Sequence, residues 1–338
     1  MHASNAQQDH RAISFNAVKI AAVLSILLIT FPFFALVACG FIATWRGMLP
    51  TTAISGLNSF VLYFALPCML FRFGAQTPVA QLLEMPVLVV YLITAMIMVL
   101  LTVALTRRRM GWNDAAFGAL VAAFPNTGFM GVPMLVAILG AQSAGTVIVT
   151  MAIDMVVTTS VCIALSRLDV SGAEGVRGAL SKALKGMCAN PMPWSIVLGG
   201  VASALGWSLP GPMDKTVTML AAAASPVALF TIGAVLARSQ MNVHERVAMR
   251  DYVPISLAKL LLHPLLIAAV AWLAMALGLP LSRESLLVLI LVAALPSASN
   301  VSLLTERYGA DSGRIARIIL VSTSAAFLSF SAVVALMV

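Results

Sequence analysis

The sequence predicts an all-α integral membrane protein of ten transmembrane helices, arranged as two inverted five-helix repeats with broken fourth and ninth helices. Three observations carry that prediction. Hydrophobic residues make up 61% of the 338 residues and charged residues only 9%, against roughly 45–50% and about 25% in an ordinary soluble domain. Apolar runs long enough to span a bilayer recur along the whole chain. A proline-centred motif also returns half a chain later, in the matching run.

A soluble fold of this length cannot bury so much apolar surface, so lipid is the solvent for much of it. Crossing about 30 Å of hydrocarbon takes roughly 20 residues of helix. Such runs lie near 21–43, 52–71, 86–106, 115–138, 143–165, 191–207, 216–237, 252–277, 285–304 and 315–337. Asn, Ser, Thr, Gly or Pro interrupt those at 52–71, 115–138, 216–237 and 285–304. A helix with polar breaks needs protein or water beside it, so these four are the expected inner spans.

Charge gives a second test of the count. The chain carries 20 Lys and Arg against 12 Asp and Glu. No basic face with interleaved aromatics appears, which argues against a nucleic-acid partner. The basic residues instead cluster between runs. With the N-terminus outside, the cytoplasmic connections hold 14 of them: Arg46, Arg107, Arg108, Arg109, Arg167, Arg177, Lys182, Lys185, Arg238, Arg246, Arg250, Arg307, Arg314 and Arg317. The outer segments hold five: Arg11, Lys19, Arg72, Lys215 and Arg283. Positively charged loops stay in the cytoplasm, and a miscounted helix would scramble this alternation. Ten spans in a bacterial cytoplasmic membrane, both termini outside, fit it.

The four cysteines, Cys39, Cys68, Cys162 and Cys188, lack metal-ligand spacing and read as packing thiols. No metal or cofactor is expected. Leu36-Val37-Ala38-Cys39 fits the pattern at which bacterial lipoproteins are processed. The apolar run continues past it to Ala43, however, and a signal's apolar region is usually about 7–15 residues, so a membrane span is the better reading.

Val121-Ala122-Ala123-Phe124-Pro125 recurs as Val292-Ala293-Ala294-Leu295-Pro296. The second and seventh spans carry matching interruptions at Pro67 and Pro226, and the fifth and tenth carry polar triplets, Thr158-Thr159-Ser160 and Ser322-Thr323-Ser324. The chain therefore divides into a polar, disordered tail (1–17), a first repeat (18–165), a cytoplasmic linker (166–190) and a second repeat (191–338). Five is odd, so the second repeat runs upside down relative to the first. Matched proline breaks in inverted repeats point to a transport site. Proline lacks an N–H and clashes with the preceding turn, which frees backbone groups near the midplane. Those groups persist only where protein, water or substrate satisfies them. The half-helix that follows offers its amide end to an anion.

Pro125-Asn126-Thr127-Gly128-Phe129-Met130-Gly131-Val132-Pro133 resembles the fourth-span motif of the auxin efflux carrier family, in bacterial members and plant PIN-type carriers alike. Ala294-Leu295-Pro296-Ser297-Ala298-Ser299-Asn300-Val301 resembles its ninth-span motif, Leu57-Asn58 through Pro67 its second-span signature, and Ala228 to Ala234 its seventh. The resemblance covers the chain after the tail, which is itself untypical of bacterial members. It implies a fold like that of sodium/proton antiporters and bile acid symporters, in which the broken fourth and ninth helices cross within a transport domain that moves against a scaffold of spans 1, 2, 6 and 7, which also forms a homodimer. It implies small organic anions as substrates, auxin in plants and malonate or other carboxylates in bacteria. On this reading Asn126, Thr127, Gly128, Ser297, Ser299 and Asn300 bind the carboxylate. Pro125, Gly131, Pro133 and Pro296 shape the crossover.

Asp154 lies halfway along the fifth span, where an ionisable group costs roughly 2.5–3.5 kcal/mol on insertion scales and must be paired, wet or protonated. It reads as a proton- or sodium-coupling carboxylate or as a structural hydrogen-bonding group. Lys259 lies roughly 12 Å inside the eighth span at about 1.5 Å per residue. It can snorkel, or pair with Asp154 or substrate. His263, one turn on, reads as a satisfied core histidine. Ser256-Leu257-Ala258-Lys259 matches the Ser-x-x-Lys pattern of acylating enzymes, but its companion motifs are missing. A membrane-embedded hydrolase using Ser256 and Lys259, or a channel or sensor on the same fold, are the rivals to a secondary carrier.

The charge alternation generates a topology prediction. A cysteine placed at Gly175 should resist a membrane-impermeant thiol reagent in intact cells, and one placed at Gln8 should react. The reverse pattern would overturn the assignment.

Overall fold

A computed structural model of the chain describes residues 28, 30–77, 84–168, 178, 181, 191–241 and 247–337. The tail and most of the 166–190 linker fall outside the described residues, with Cys188, Arg177, Lys182, Lys185 and Arg246. Among the described residues the only regular structure is helical. In chain order the helices are α1 (Thr30–Trp45), α2 (Ala53–Gln76), α3 (Met85–Ala123), α4 (Thr127–Leu139), α5 (Ala141–Leu165) and α6 (Pro191–Leu205). They continue with α7 (Gly211–Met241), α8 (Met249–Ala276), α9 (Arg283–Ala294), α10 (Val301–Tyr308) and α11 (Ser312–Met337). Six of them, α2, α3, α5, α7, α8 and α11, are long and apolar enough to cross a membrane. Their large exposed side chains, Leu105, Leu265, Trp272, Leu328 and Leu336 among them, are apolar. Such a surface is stable against lipid and not against water. This is an integral membrane protein.

Two expectations need correction. The connection holding Arg107, Arg108 and Arg109 is not a loop: α3 runs through it, and the chain turns on the single residue Gly111, at φ 77° and ψ 174°. A side chain would be strained there, and glycine is not. The 112–123 arm that follows is the first half of the predicted fourth span. Pro67 and Pro226 do not open their helices either. A five-residue π-turn, Val61–Ala65, precedes Pro67, and α7 stays helical through Pro226. Pro67 stands in the first turn of the α-helical segment after that π-turn, where a missing N–H costs little.

The helices pack in two groups. Helix α2 lies along α6 and α7, and α1 meets α7 through two glycines. A Cβ on Gly40 would sit 1.8 Å from the Phe230 carbonyl oxygen, and one on Gly233 1.9 Å from that of Val37. Small residues let membrane helices approach to backbone contact. The second group gathers α3, α5, α8, α9 and α11, tied at the arginine-rich end. Asn113 donates to the Tyr308 and Gly309 carbonyls at 3.2 and 3.1 Å, and Arg167 to Tyr308 at 3.2 Å. Asp311 N–H donates to the Asp114 carboxylate at 2.8 Å. Arg314, expected in a connection, is buried in the first turn of α11 and donates to the Asp114 carbonyl.

The α1–α7 contact generates a stability prediction. Gly40→Ala and Gly233→Ala place a methyl against backbone that cannot rotate away, and overpacking costs about 1–3 kcal/mol. Both variants should melt several degrees lower in detergent. Gly56→Ala, with open space at its Cβ, should not.

Candidate functional site

The site is built where two helical arms stop. Residues 115–127 and 288–299 are buried without interruption, so both breaks lie inside protein. The 112–123 arm ends as Phe124 N–H donates to Leu120 O at 2.9 Å. Pro125 has no N–H to continue. The next amide leaves its own helix: Asn126 N–H donates to Pro296 O at 2.8 Å, and Ala298 N–H donates to Phe124 O at 3.0 Å. The two breaks therefore pair with each other, Pro125 opposite Ser297, as one antiparallel β-type bridge. Asn126, at φ −78° and ψ 56°, is the centre of an inverse γ-turn closed by Thr127 N–H to Pro125 O at 2.8 Å. Helix α4 then opens with a π-turn, Thr127–Gly131, in which Met130 and Gly131 N–H both donate to Asn126 O. A Cβ on Gly131 would lie 2.8 Å from Leu295 Cδ1, so the hinge glycine marks close approach of the two breaks. Pro133 stands in the first turn of the α-helical part of α4 and interrupts nothing.

The second break is closed from outside. Helix α9 ends at Ala294. The Ala293 carbonyl would accept from Ser297 N–H in a continuous helix. It accepts from Lys259 Nζ instead, at 2.7 Å, while Ser297 N–H donates to Ser322 Oγ of α11 at 3.2 Å. Helix α10 starts with Val301 and Ser302 N–H turned back onto Ala298 and Ser299. Of the expected binding residues, Asn126, Thr127, Ser297 and Ser299 are buried, and Gly128 and Asn300 are half-buried. Two polar atoms at the crossing, Asn126 Nδ2 and Ser297 Oγ, are buried with no hydrogen-bond partner among the described residues. Two narrow cavities flank it. Asn126, Gly128 and Asn300 line one with Leu66, Met151 and Met192; Ser299, Asn300 and Ser302 line the other with Asn58 and Arg238.

Asp154 and Lys259 are fully buried, each at a π-turn. Asp154 Oδ2 accepts from the Tyr91 hydroxyl at 2.5 Å and Oδ1 from Thr158 at 3.0 Å. Lys259 Nζ, besides Ala293 O, meets His263 Nδ1 at 2.9 Å. It does not snorkel, and it does not pair with Asp154: among the described residues the ion pair is Arg109 with Asp251. The Tyr91 and His263 rings, in contact with Asp154 and Lys259 respectively, stand 6.4 Å apart. His263 is half satisfied, because its Nε2 is buried without a partner among the described residues. Ser256 Oγ donates to the Tyr252 and Ile318 carbonyls at 3.0 and 3.4 Å. It makes no hydrogen bond to Lys259, so the serine–base unit of a hydrolase is not assembled.

The family described as "Membrane transport protein" matches residues 25–334. The chain belongs to that family. This is the auxin efflux carrier family that its four motifs resemble. Over 295 residues, covering 86% of this chain and 89% of the relative, it is 27% identical to a "Putative malonate transporter" of Rhizobium meliloti (strain 1021). It is 30% identical over 197 residues to the "Uncharacterized transporter YfdV" of Escherichia coli (strain K12), a match covering 58% of this chain and 59% of that one. An "Uncharacterized transporter" of Methanothermobacter thermautotrophicus is 26% identical over 87% of this chain and 92% of its own. Family and relatives are transporters rather than enzymes.

Sequence reasoning misses Tyr91, Ser322 as a backbone acceptor, and the pairing of the two breaks. One tyrosine in an apolar run carries no signal. Thr158 and Ser322 were legible as polar triplets but not as partners of named groups.

The bridge generates a prediction. Ser322→Ala leaves the buried Ser297 N–H without its acceptor, and an unsatisfied buried group costs about 1–3 kcal/mol. The variant should melt at lower temperature, whereas Ser324→Ala, exposed in the same triplet, should melt like the parent.

Proposed function

We propose that this membrane transport protein is a secondary carrier for a small carboxylate, of which malonate is the first candidate. It has ten spans in two inverted repeats, 18–165 and 191–338, and works by alternating access at the crossing of the fourth and ninth. The carrying observation is the Asn126 side chain: a buried amide with a donor left open, at the point where one helix stops and another starts. A buried donor without a partner costs roughly 1–3 kcal/mol. Such a group is retained where a ligand supplies the missing acceptor, and a carboxylate is the strong one. The malonate assignment leans on the name of one relative, a "Putative malonate transporter", and on the chemistry of the crossing. Asn300 is the matching group in the second repeat, and Thr127, Gly128, Ser297 and Ser299 complete the walls.

Asp154 and Lys259 are the proposed coupling groups, for H+ or Na+. Each is held by its own neutral partners rather than by the other, so either can change charge without breaking an ion pair. The carrier is proposed to sit in a bacterial cytoplasmic membrane with both termini outside, as a homodimer through its scaffold helices.

Uptake of labelled malonate into proteoliposomes, with and without an imposed pH gradient, tests this reading. A hydrogen bond to a charged acceptor contributes on the order of 1.5–3 kcal/mol. Asn126→Ala and Asn300→Ala should therefore each raise the apparent substrate constant roughly tenfold or more, at normal protein levels. Asp154→Asn should abolish gradient-driven accumulation yet leave exchange, since a fixed neutral side chain cannot cycle between protonation states. Unchanged substrate dependence in both asparagine variants would move the site away from the crossing.

A further inference from the structure

The cavity beside the second break contains a cation that the crossing leaves unused. Arg238 lies near the end of α7, half-buried, and lines that cavity with Asn58 of α2 and with Ser299, Asn300 and Ser302. Four other arginines towards this end of the helices are engaged. Arg109 meets Asp251, Arg167 the Tyr308 carbonyl, Arg314 the Asp114 carbonyl and Arg317 the Val247 carbonyl. Arg238 has no hydrogen bond, ion pair or ring contact among the described residues. Its other neighbours in the cavity, Val61, Leu62, Phe129 and Ile232, are apolar. They withhold the water that would otherwise weaken a charged contact.

A guanidinium in a partly dry pocket is a fork of donors without an acceptor, and the group that fits it in two places at once is a carboxylate. The asparagines at the crossing are neutral. They can orient an anion but cannot balance its charge, and the ammonium of Lys259 is already held by Ala293 O and His263. An anion with two negative ends therefore lacks a counter-charge until Arg238 is counted. Asn300 and Phe129 line both cavities, which makes the two spaces adjoining parts of one path.

We infer that Arg238 is a second anion anchor, so that the site takes a small dicarboxylate, with one carboxylate at Asn126 and Asn300 and the other on the guanidinium. This rests on the carboxylate-carrier reading and adds to it the selection of dianions over monoanions. A basic residue near a cytoplasmic helix end is also what membrane topology alone would place there. The test therefore needs a readout that topology does not move.

That readout is the ratio of malonate to acetate affinity, measured by equilibrium binding to the purified full-length chain in nanodiscs. Losing a charge-assisted pair weakens binding roughly tenfold or more. Arg238→Gln should weaken malonate by about that factor and leave acetate within about twofold. Arg238→Lys, which keeps the charge and loses the fork, should fall between. Asn126→Ala should weaken both ligands. If Arg238→Gln purifies at parental melting temperature and leaves the ratio unchanged while Asn126→Ala weakens binding, the anchor is wrong and the carrier reading stands. If the parent binds neither ligand, the carboxylate reading falls and this inference with it. Should Arg238→Gln not purify, Arg238→Lys decides: an unchanged ratio overturns the anchor.

Discussion

Backbone polar groups in the middle of a membrane protein must find partners inside the protein, and this fold is arranged around two places where helices cannot supply them. Proline stops each arm, and hydrocarbon offers no water to the carbonyls and amides left behind. The solution is mutual. Asn126 N–H reaches Pro296 O, and Ala298 N–H reaches Phe124 O, so each break satisfies part of the other. What the pair cannot cover comes from neighbours: Ser322 Oγ for the Ser297 amide and Lys259 for the Ala293 carbonyl. Both arms are buried on every side because an open helix end exposed to lipid would cost several kcal/mol per unsatisfied group.

Lys259 shows how the ionisable groups depend on that arrangement. A buried ammonium is expensive, but this one sits at the C-terminal end of α9, where unpaired carbonyls present partial negative charge. The break therefore stabilises the lysine, and the lysine closes the break. Asp154 is accommodated differently, by hydroxyl donors from Tyr91 and Thr158. In the proposed carrier a change of charge on Lys259 acts directly on one end of the crossing, whereas Asp154 has no hydrogen bond to it among the described residues.

Much of this was legible in the sequence, and the physical reasons separate what was from what was not. Helices were legible because lipid imposes a length and a polarity that local composition reports. The apolar runs from 52–71 onward all contain a helix, and the prolines at 125 and 296 do stop theirs. Gly111 was not legible as a turn, since a lone glycine after three arginines looks like any loop. Pro67 and Pro226 were overread for a related reason: a proline's effect depends on whether neighbouring turns can absorb it, and a π-turn does so before Pro67. Partners were hidden throughout. Ser256 and Lys259 share a catalytic spacing, yet each is turned to a different carbonyl, which only three-dimensional packing decides.

The two cavities lie where the two helix groups meet. Their walls come from Leu66, Met192, Asn58 and Arg238 on the α1, α2, α6 and α7 side, and from the crossing with Met151 and Met155 on the other. Within each group the contacts resist separation. Backbone meets backbone at Gly40 and Gly233, and a connected set of hydrogen bonds holds the arginine-rich end of α3, α5, α10 and α11. Between the groups lie the two cavities, with Arg238 unpaired among the described residues. In the proposed carrier, a motion along this boundary that opens one cavity and closes the other leaves the β-type bridge and its outside partners intact. The residues proposed to hold the anion lie on both sides of it. Occupancy of the site would then bear on the relative position of the two groups, which is what a carrier needs of its substrate.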